Sequence, residues 1–312
     1  MELAYPIWSD ELIGTCGLLQ QESLFLPQGD HLLHLRHIWQ QQGGQPIIMF
    51  HGAIENGRIF YNEKGKGLAC YLAEQGFDVY VADFRGRGES KPAIKDNPNH
   101  GQNDCIAEDI PALINFVYSR HKEPLHVVCH SWGGVLFSSA LVRHPELREV
   151  VKSKLCFGTK RQVTVWNLER LFKVSLFWKR LAPIITKRRG FLDATKFKIG
   201  SDDETHGTLT ESVAWVKLGE WRDPIDGFDY RKAAEDFEWP PTWHITSIKD
   251  NTLGHAQDVQ LFIAECNNKA AKFSNLSKAN GNLVDYDHIN ILTHPEAIRD
   301  HFPQVLDWLN SH

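Results

Sequence analysis

The sequence predicts an α/β fold built on a mostly parallel, doubly wound sheet, with an antiparallel N-terminal hairpin and a helical cap insert. Two observations predict this fold. Short runs rich in β-branched and aromatic residues alternate with segments of helical periodicity from residue 22 to residue 145. At 312 residues and 42% hydrophobic content, the chain is also long enough to bury one large core. Strands separated by helices join through βαβ crossovers, which place them parallel in one sheet.

Each predicted element follows from a short stretch of sequence. ESLFLP (22–27) and HLLHLRHIW (31–39) predict a β-hairpin that forms the antiparallel edge of the sheet. The stretches PIIMFHG, FDVYVADF and LHVVCHS predict the strands that follow. Helices are predicted at 62–75, at DIPALINFVYSRH and at GGVLFSSALVRHP, where Pro145 ends the last one. Ligands of such sheets bind beyond the carboxyl ends of the strands.

The alternation of strands and helices breaks after KSKLCFGT and resumes only at PPTWHITSIKD. The intervening segment is too long to be a loop. We therefore predict a core of residues 1–159 and 240–312 and a cap insert of residues 160–239. The first half of this insert is strongly basic, whereas its second half, from Asp202 to Glu238, is mainly acidic.

Charge and cysteine usage give expectations about partners and compartment. The net charge of −5 gives no reason to expect nucleic acid as a partner. The cysteines are scattered singly, as buried small residues of a protein in a reducing compartment would be: Cys16, Cys70, Cys105, Cys129, Cys156 and Cys266. The N-terminal segment carries acids where a signal peptide carries Lys or Arg, and no apolar run approaches the roughly 20 residues that span a bilayer. We expect a soluble, cytoplasmic protein.

The stretch CHSWG (129–133) carries the strongest chemical signal. It follows a predicted strand and opens a predicted helix, the context in which a G-x-S-x-G pattern exposes a serine oxygen on a sharp turn. The turn crowds the positions two before and two after the serine, so both must be small. Gly133 satisfies this requirement, and Cys129, which stands where the pattern has Gly, is small enough to fit. Ser131 is predicted to be a nucleophile rather than a helix cap, since Trp-Gly-Gly is a poor first helical turn.

A serine hydroxyl is a poor nucleophile until a base removes its proton, so Ser131 requires a histidine that a carboxylate orients. Asp250 ends the apolar run PTWHITSIKD, at the carboxyl edge of a predicted strand. His288, in DYDHINILTHPEA, lies in a predicted loop before the final helix. The order serine, acid, histidine is the one that folds with this nucleophile turn use. We therefore predict a triad of Ser131, Asp250 and His288.

Acyl transfer also needs two backbone N–H groups that bind the oxyanion. The predicted donors are Trp132, directly after the nucleophile, and Ala53, which follows FHG at the end of an early strand. Gly52 permits the tight turn between strand and donor. His51 is predicted to brace this loop rather than to act on the substrate.

These stretches carry a resemblance to a known family. MFHGAIENGRIF, YVADFRGRGES, VVCHSWGG, ITSIKD and DYDHINI, in this order, resemble the α/β-hydrolase superfamily from about residue 20 to the C-terminus. EDIPALINFVYSRHKEPLHVVCHSWGG together with DHINI is similar to the branch that contains acid lipases and polyhydroxyalkanoate synthases. The resemblance implies the triad and oxyanion donors named above, with the insert as a cap over the acyl pocket. A synthase of that branch would carry Cys at the nucleophile position, where this sequence has Ser131.

The resemblance implies a serine hydrolase that cleaves a carboxylic ester through an acyl-enzyme, with no metal or organic cofactor. Two alternatives stay open. One is an acyltransferase or thioesterase that uses the same triad, and the other is a non-catalytic, hydrolase-like binding protein. The expected partner is a small-molecule ester or acyl substrate.

Within the insert, WNLERLFKVSLFWKRL predicts a cationic amphipathic helix. One face is apolar: Leu168, Leu171, Phe172, Ser175 and Leu176. The opposite face is basic: Arg170, Lys173 and Arg180. One hypothesis is that the apolar face packs on the core and roofs the acyl pocket, with Leu171 and Phe172 lining it. The other is that the helix contacts an anionic membrane surface or an acyl carrier, which basic residues beside exposed aromatic rings such as Phe177 favour.

Overall fold

The computed structural model describes residues 8–16, 18–167, 170–216 and 221–312. The strands in these residues are β1 (Trp8–Cys16), β2 (Leu19–Gln28), β3 (His31–Trp39), β4 (Pro46–Phe50), β5 (Asp78–Asp83), β6 (Leu125–His130), β7 (Val151–Phe157), β8 (Phe191–Leu192), β9 (Glu204–Thr205), β10 (Thr242–Ser247) and β11 (Lys272–Leu276). The α-helices are α1 (Leu68–Glu74), α2 (Gln102–Asp104), α3 (Ile110–His121), α4 (Trp132–Arg143), α5 (Ala182–Arg189), α6 (His206–Trp215), α7 (Tyr230–Glu235), α8 (Ala256–Glu265), α9 (Asn290–Thr293) and α10 (Phe302–Ser311). Two π-helical segments, Cys105–Asp109 and Arg170–Leu181, lead directly into α3 and α5.

One large sheet contains nine of the described strands, in the order β1, β2, β3, β5, β4, β6, β7, β10, β11. The pairs from β1 through β3 to β5 are antiparallel, and all pairs from β5 onwards are parallel. This topology confirms the predicted fold class. Because β4 and β6 are neighbours and run in the same direction, the chain segments that follow Phe50 and His130 meet at the carboxyl edge of the sheet.

Helices cover both faces of the sheet, and two hydrophobic clusters fill the layers between. In β4, Ile48 and Phe50 belong to the cluster under α3 and α4, whereas Ile47 and Met49 belong to the cluster under α1 and α10. This alternation follows from the two-residue period of a strand. The strand is apolar on both faces because neither face of a doubly wound sheet contacts water.

The predicted hairpin is present as β2 and β3, but it does not form the edge of the sheet. The strand β1 pairs antiparallel with β2 and lies outside it, so the prediction of the edge was wrong. The sequence WSDELIGTC lacks a regular apolar alternation, and the register of β1 against β2 shifts between Asp10 and Gly14. Because β1 is defined by its pairing with β2 rather than by an alternation of apolar and polar residues, the sequence pattern did not predict it.

The residues between β7 and β10 pack in two different ways. Residues from both halves of the insert form a small cluster, Ala182, Leu192, Ala194 and Leu209, beside the short antiparallel pair β8 and β9. In the second half, Trp221 belongs to the main cluster that also contains α4, and its indole N–H donates to Ser139 Oγ at 3.0 Å. The division of the chain into core and cap stays a prediction.

The amphipathic stretch of the insert is turned differently from the predicted orientation. Leu171 and Leu176 are 40% and 42% exposed, while Val174, Phe177 and Trp178 face inwards. Leu168 and the side chains of Phe172, Arg170 and Lys173 lie outside the described residues. The predicted face was wrong because a π-helical segment bonds from residue i to i+5, so a spacing of 3.6 residues does not identify the side chains that share a face. In the described part of the chain, no helix is both long and apolar enough to cross a membrane.

Candidate active site

Ser131 lies on the sharp turn between β6 and α4. Its backbone has φ 50° and ψ −123°, a conformation that is strained for any residue except glycine. The turn is held from β7, because the Ser131 N–H donates to Phe157 O at 2.8 Å and the Thr159 hydroxyl donates to Ser131 O at 3.0 Å. Strain that is fixed by neighbouring structure is typical of functional sites.

Small residues around Ser131 make this turn feasible. A Cβ atom at Gly133 would overlap the carbonyl oxygen of His51, and one at Gly134 would overlap the Thr159 hydroxyl. Cys129 is fully buried in β6. It lies opposite Cys156 of β7 in the register of the two strands, and both are free thiols. The prediction that Cys129 packs inside the sheet is confirmed.

The structure brings the three predicted triad residues together. Ser131 Oγ lies 2.8 Å from Nε2 of His288, and Nδ1 of His288 lies 2.5 Å from Oδ2 of Asp250. The other carboxylate oxygen of Asp250 accepts a hydrogen bond from the Gly254 N–H at 2.7 Å. Burial raises the pKa of Asp250, but His288 and this N–H outweigh burial and hold the pKa below its ordinary value. The carboxylate is therefore charged and accepts from the imidazole.

Two glycines that the sequence argument did not single out allow this close approach. Gly158, with φ 57°, follows β7, and a Cβ atom there would lie 2.9 Å from Nδ1 of His288. A Cβ atom at Gly254 would overlap Oδ2 of Asp250. Each position excludes a side chain because the triad itself occupies the space.

The loop after β4 passes directly beside Ser131. A Cβ atom at Gly52 would lie 2.8 Å from Cβ of Ser131, so Ala53 follows at the edge of the site. Within the described residues, the N–H groups of Ala53 and Trp132 donate to no protein acceptor. His51 donates from Nδ1 to Gly52 O at 2.8 Å and accepts from the Phe84 N–H at 3.1 Å, so it braces the loop.

A buried ion pair, Glu55 with His130, connects this loop to the histidine of the triad. Glu55 Oε1 accepts from the Gly52 N–H and from Nδ1 of His130, the latter at 2.6 Å. Nε2 of His130 donates to the backbone oxygen of His288 at 2.9 Å. Both ring nitrogens face acceptors, so both carry protons and His130 is a cation.

The pKa shifts of the pair agree with this charge state. Burial lowers the pKa of His130, but Glu55 outweighs burial and the pKa is raised above 6.5. Burial raises the pKa of Glu55, but His130 outweighs it and the pKa falls below 4.5. Neither Glu55 nor His130 was predicted from the sequence. The position of His130 in the apolar strand LHVVCH indicates that its buried ring needs a polar partner, but the sequence does not identify Glu55 as that partner.

Two further polar side chains border the site and were also missed. Lys160 is buried at the end of the turn after β7, with its ammonium nitrogen 5.8 Å from the centre of the Trp132 ring. Burial lowers the pKa of Lys160, against the opposing effect of Asp250 and Asp258. The side-chain oxygen of Gln102 accepts a hydrogen bond from the Trp132 indole N–H at 3.2 Å, and the side-chain nitrogen of Gln102 has no partner among the described residues.

Comparison with known families gives a match that includes the strand–turn–helix around Ser131. A family model described as serine aminopeptidase, S33, matches residues 43–217, which is more than half of the chain. The chain belongs to this family. The S33 family consists of α/β hydrolases, so the predicted resemblance to that superfamily is confirmed.

The relatives of this S33 member are lipase-like. The tear acid lipase-like protein of Mesocricetus auratus is 26% identical over 160 residues, which cover 48% of this chain and 40% of that protein. Triacylglycerol lipase 1 of Arabidopsis thaliana is 29% identical over 119 residues, which cover 36% of this chain and 30% of that protein. The chain thus matches less than half of the length of these relatives.

A solved structure supports the same fold over nearly the whole chain. A soluble variant of monoglyceride lipase from Saccharomyces cerevisiae, in complex with a substrate analog, is similar with a TM-score of 0.67 at 14% identity. The similarity covers 92% of this chain and 94% of the yeast structure. At this identity the similarity concerns the fold alone.

Proposed function

We propose that this protein is a serine hydrolase that cleaves a carboxylic ester through an acyl-enzyme. The observation that carries the proposal is the chain of hydrogen bonds from Asp250 through His288 to Ser131, with distances of 2.5 and 2.8 Å. The strained backbone of Ser131 supports it, because this turn exposes the serine oxygen beside the N-terminus of α4. A binding protein would have no use for a serine held against a base in this way.

The proposed reaction proceeds in two steps. His288 Nε2 accepts the proton of Ser131 while Oγ attacks the carbonyl carbon of the ester, and the amides of Ala53 and Trp132 bind the oxyanion. His288 then gives the proton to the departing alcohol, which leaves the acyl group on Ser131. Water attacks the acyl-enzyme by the same route and releases the carboxylic acid. Asp250 orients the imidazole and stabilises its charged form.

An ester is the proposed substrate because both curated relatives described above carry names of lipases. The insert favours the hypothesis, stated above, that it contacts an anionic membrane surface. Between residues 171 and 199, large apolar side chains are exposed: Leu171, Leu176, Leu181, Ile184, Ile185, Phe197 and Ile199. The same stretch exposes basic side chains: Arg180, Lys187, Arg188, Arg189, Lys196 and Lys198. Apolar and basic residues exposed together favour contact with an anionic lipid surface.

A substrate panel with purified protein tests the proposed activity. It contains 4-nitrophenyl esters of increasing acyl length, matched thioesters, an added alcohol acceptor and an aminoacyl 4-nitroanilide. We expect ester hydrolysis that is lost in Ser131→Ala, and a fluorophosphonate label on Ser131. Faster thioester cleavage or transfer to the alcohol would identify one of the alternative enzymes. A label on another residue, or no turnover of any substrate, would refute the proposal.

Vesicle binding tests the proposed lipid contact. We expect sedimentation with vesicles that contain phosphatidylglycerol and little with pure phosphatidylcholine, because basic residues attract an anionic surface. Ile184→Ser should weaken binding, whereas Ile225→Ser, at an equally exposed isoleucine in the acidic half, should not. Equal loss in both variants would refute a specific surface. Binding to a phosphopantetheine carrier protein but not to vesicles would favour the acyl-carrier alternative.

A further inference from the structure

The loop that carries Ala53 contains a strained residue, Ile54. Its φ is 52°, in the left-handed region that favours glycine. A residue with a β-branched side chain rarely adopts this conformation. The apolar side chain of Ile54 also cannot form a local hydrogen bond that would offset the cost. Such strain persists only where the surrounding structure over-determines the backbone.

The contacts that hold Ile54 come from the insert, from a segment that we call the clamp (residues 200–204). The Ile54 N–H donates to Glu204 Oε2 at 3.3 Å, and the Asp202 N–H donates to Ile54 O at 3.1 Å. Gly200 packs so closely that a Cβ atom there would overlap the Ile54 carbonyl oxygen. Both backbone polar groups of the strained residue are therefore bound by a segment about 150 residues away in sequence.

The clamp is anchored in turn to the core. Glu204 forms an ion pair with Arg87, in the turn after β5, and both side chains are buried. Asp202 Oδ2 accepts from the Gly88 N–H at 2.6 Å and from the Asn56 side chain at 3.0 Å. These anchors fix the clamp relative to the sheet, so the clamp can hold the loop.

We propose that the clamp positions the oxyanion donor Ala53 by holding Ile54 in its left-handed conformation, with Asp202 and Glu204 as positioning residues. The inference rests on the proposed function, in which the Ala53 N–H binds the oxyanion. Without the clamp, Ile54 relaxes to negative φ, which displaces the preceding residue, Ala53, together with its N–H group. The donor then leaves the position where negative charge develops in the transition state.

This role differs in its kinetics from a purely structural one. An oxyanion donor acts mainly in the transition state, so its displacement lowers kcat and leaves KM nearly unchanged. Glycine adopts positive φ without strain, so Ile54→Gly should make the loop independent of the clamp. Rescue by a glycine at position 54 is therefore a signature that general destabilisation of the insert does not produce.

The experiment compares two neighbouring aspartates. Asp202→Ala removes one of the two anchors of the clamp, the bonds of Asp202 to Gly88 and Asn56. Asp203→Ala is the matched control, because Asp203 is equally half-buried but bonds to Thr195 inside the insert. We expect Asp202→Ala to lower kcat by about 10- to 100-fold, less than complete loss of an oxyanion donor. Affinity for a boronic acid inhibitor, which mimics the tetrahedral intermediate, should fall by a similar factor. Asp203→Ala should change neither quantity.

Two more variants complete the test. Ile54→Gly combined with Asp202→Ala should regain most of the lost kcat. Glu204→Gln, which keeps an acceptor oxygen but removes the charge opposite Arg87, should lower kcat in the same direction. The proposal is overturned if Asp202→Ala retains the parental kcat, if Asp203→Ala is equally slow, or if Ile54→Gly gives no rescue.

Hydrogen exchange separates failure of the clamp from failure of the proposed function. Amide exchange in residues 52–57 should accelerate in Asp202→Ala and not in Asp203→Ala, whether or not the protein is an esterase. If the parent protein neither turns over esters nor accepts a fluorophosphonate on Ser131, the catalytic role of the clamp is overturned together with the proposed function. If the parent is active but exchange and kcat are both unchanged in Asp202→Ala, only the clamp is wrong.

Discussion

Glu55 and His130 form a buried, charge-paired hydrogen bond of 2.6 Å beneath the candidate active site. Because His130 also donates to the backbone oxygen of His288, the pair joins the loop of Gly52 to the loop of the triad histidine. Both sides of the site therefore depend on one buried ion pair. Removal of one charge from such a pair is costly, because the remaining charge is left in a medium that solvates it poorly.

Glu55→Gln should destabilise the fold and slow turnover. It leaves the buried His130 cation without its counter-charge, which costs about 3 to 5 kcal/mol when one partner of a buried pair is removed. The free energy of unfolding in urea measures this loss. The double variant Glu55→Gln, His130→Gln should lose less than the sum of the two single variants, since neither charge remains. Strict additivity would mean that the pair does not act as a unit.

The same pair predicts a pH dependence of stability. The pKa of folded Glu55 lies below 4.5, so its contribution is present above pH 4.5 and is lost as the pH falls through the folded value. The pKa of folded His130 lies above 6.5, so its contribution is present below pH 6.5 and is lost as the pH rises through the folded value. Urea titrations across pH should show this contribution as a maximum between pH 4.5 and 6.5 that disappears in the double variant. If the double variant keeps the stability maximum in this pH range, the maximum arises from other titratable groups.

The proposed nucleophile, Ser131, can be distinguished from Cys129, two residues before it in the chain. Ser131→Ala should abolish turnover, because a triad acts as a unit. Cys129→Gly should keep much of the activity, since that position requires only a small side chain within the sheet. Its cost should appear instead as a loss of about 1 kcal/mol in stability, because glycine weakens a strand interior. Loss of activity in a folded Cys129→Gly protein would contradict the role of Cys129 as a packing residue.

Asp250 can be separated from the other late acids in the same way. Asp250→Asn should lower kcat by about 10⁴-fold with the fold intact, because the amide no longer orients the imidazole or stabilises its charge. Asp285 and Asp287 are the controls, since they accept backbone N–H groups of their own loop at 2.7 Å from Lys278 and 2.8 Å from Asn290. Asp287→Asn should keep near-parental turnover in the same ester assay. If Asp287→Asn is the crippling change, the acid of the triad is misassigned.

The sequence was sufficient for the fold and for residues that sit where strands end. The positions of Ser131, Asp250 and Ala53 follow from strand periodicity and the turns that interrupt it, and both signals are local. The partner of His130 could not be found in this way, because Glu55 is 75 residues away and the chain contains many other acids. The same holds for Glu204, which reaches Arg87 across 117 residues.

The predicted orientation of the amphipathic helix in the insert was wrong for a different reason. Leu171 and Leu176 were assigned to one buried face on the assumption of 3.6 residues per turn, whereas this segment is π-helical. A change from i+4 to i+5 bonding depends on how the segment packs against α6 and on its continuation into α5. Hydrophobic periodicity therefore identified a helix, but it could not say which side of it faces inwards.

Gly158 offers a test of how closely the triad is packed. Its φ of 57° nearly equals the φ of 60° at Gly29, but a Cβ atom at Gly158 would lie 2.9 Å from the imidazole of His288, whereas one at Gly29 would meet nothing within 4 Å. Gly158→Ala and Gly29→Ala should share a backbone cost of about 1 kcal/mol in stability, because alanine is strained at positive φ, and Gly158→Ala should lose more because its methyl group also meets His288.

Only Gly158→Ala should slow the reaction. Its methyl group displaces the His288 ring from Ser131 and Asp250, and a misplacement of this kind can cost up to about 100-fold in rate. Thermal unfolding measures the shared backbone cost, and kcat on a short, soluble ester measures the displacement. Equal kcat values in the two variants would show that the imidazole can move without loss, which would contradict the tight geometry from which the triad is inferred.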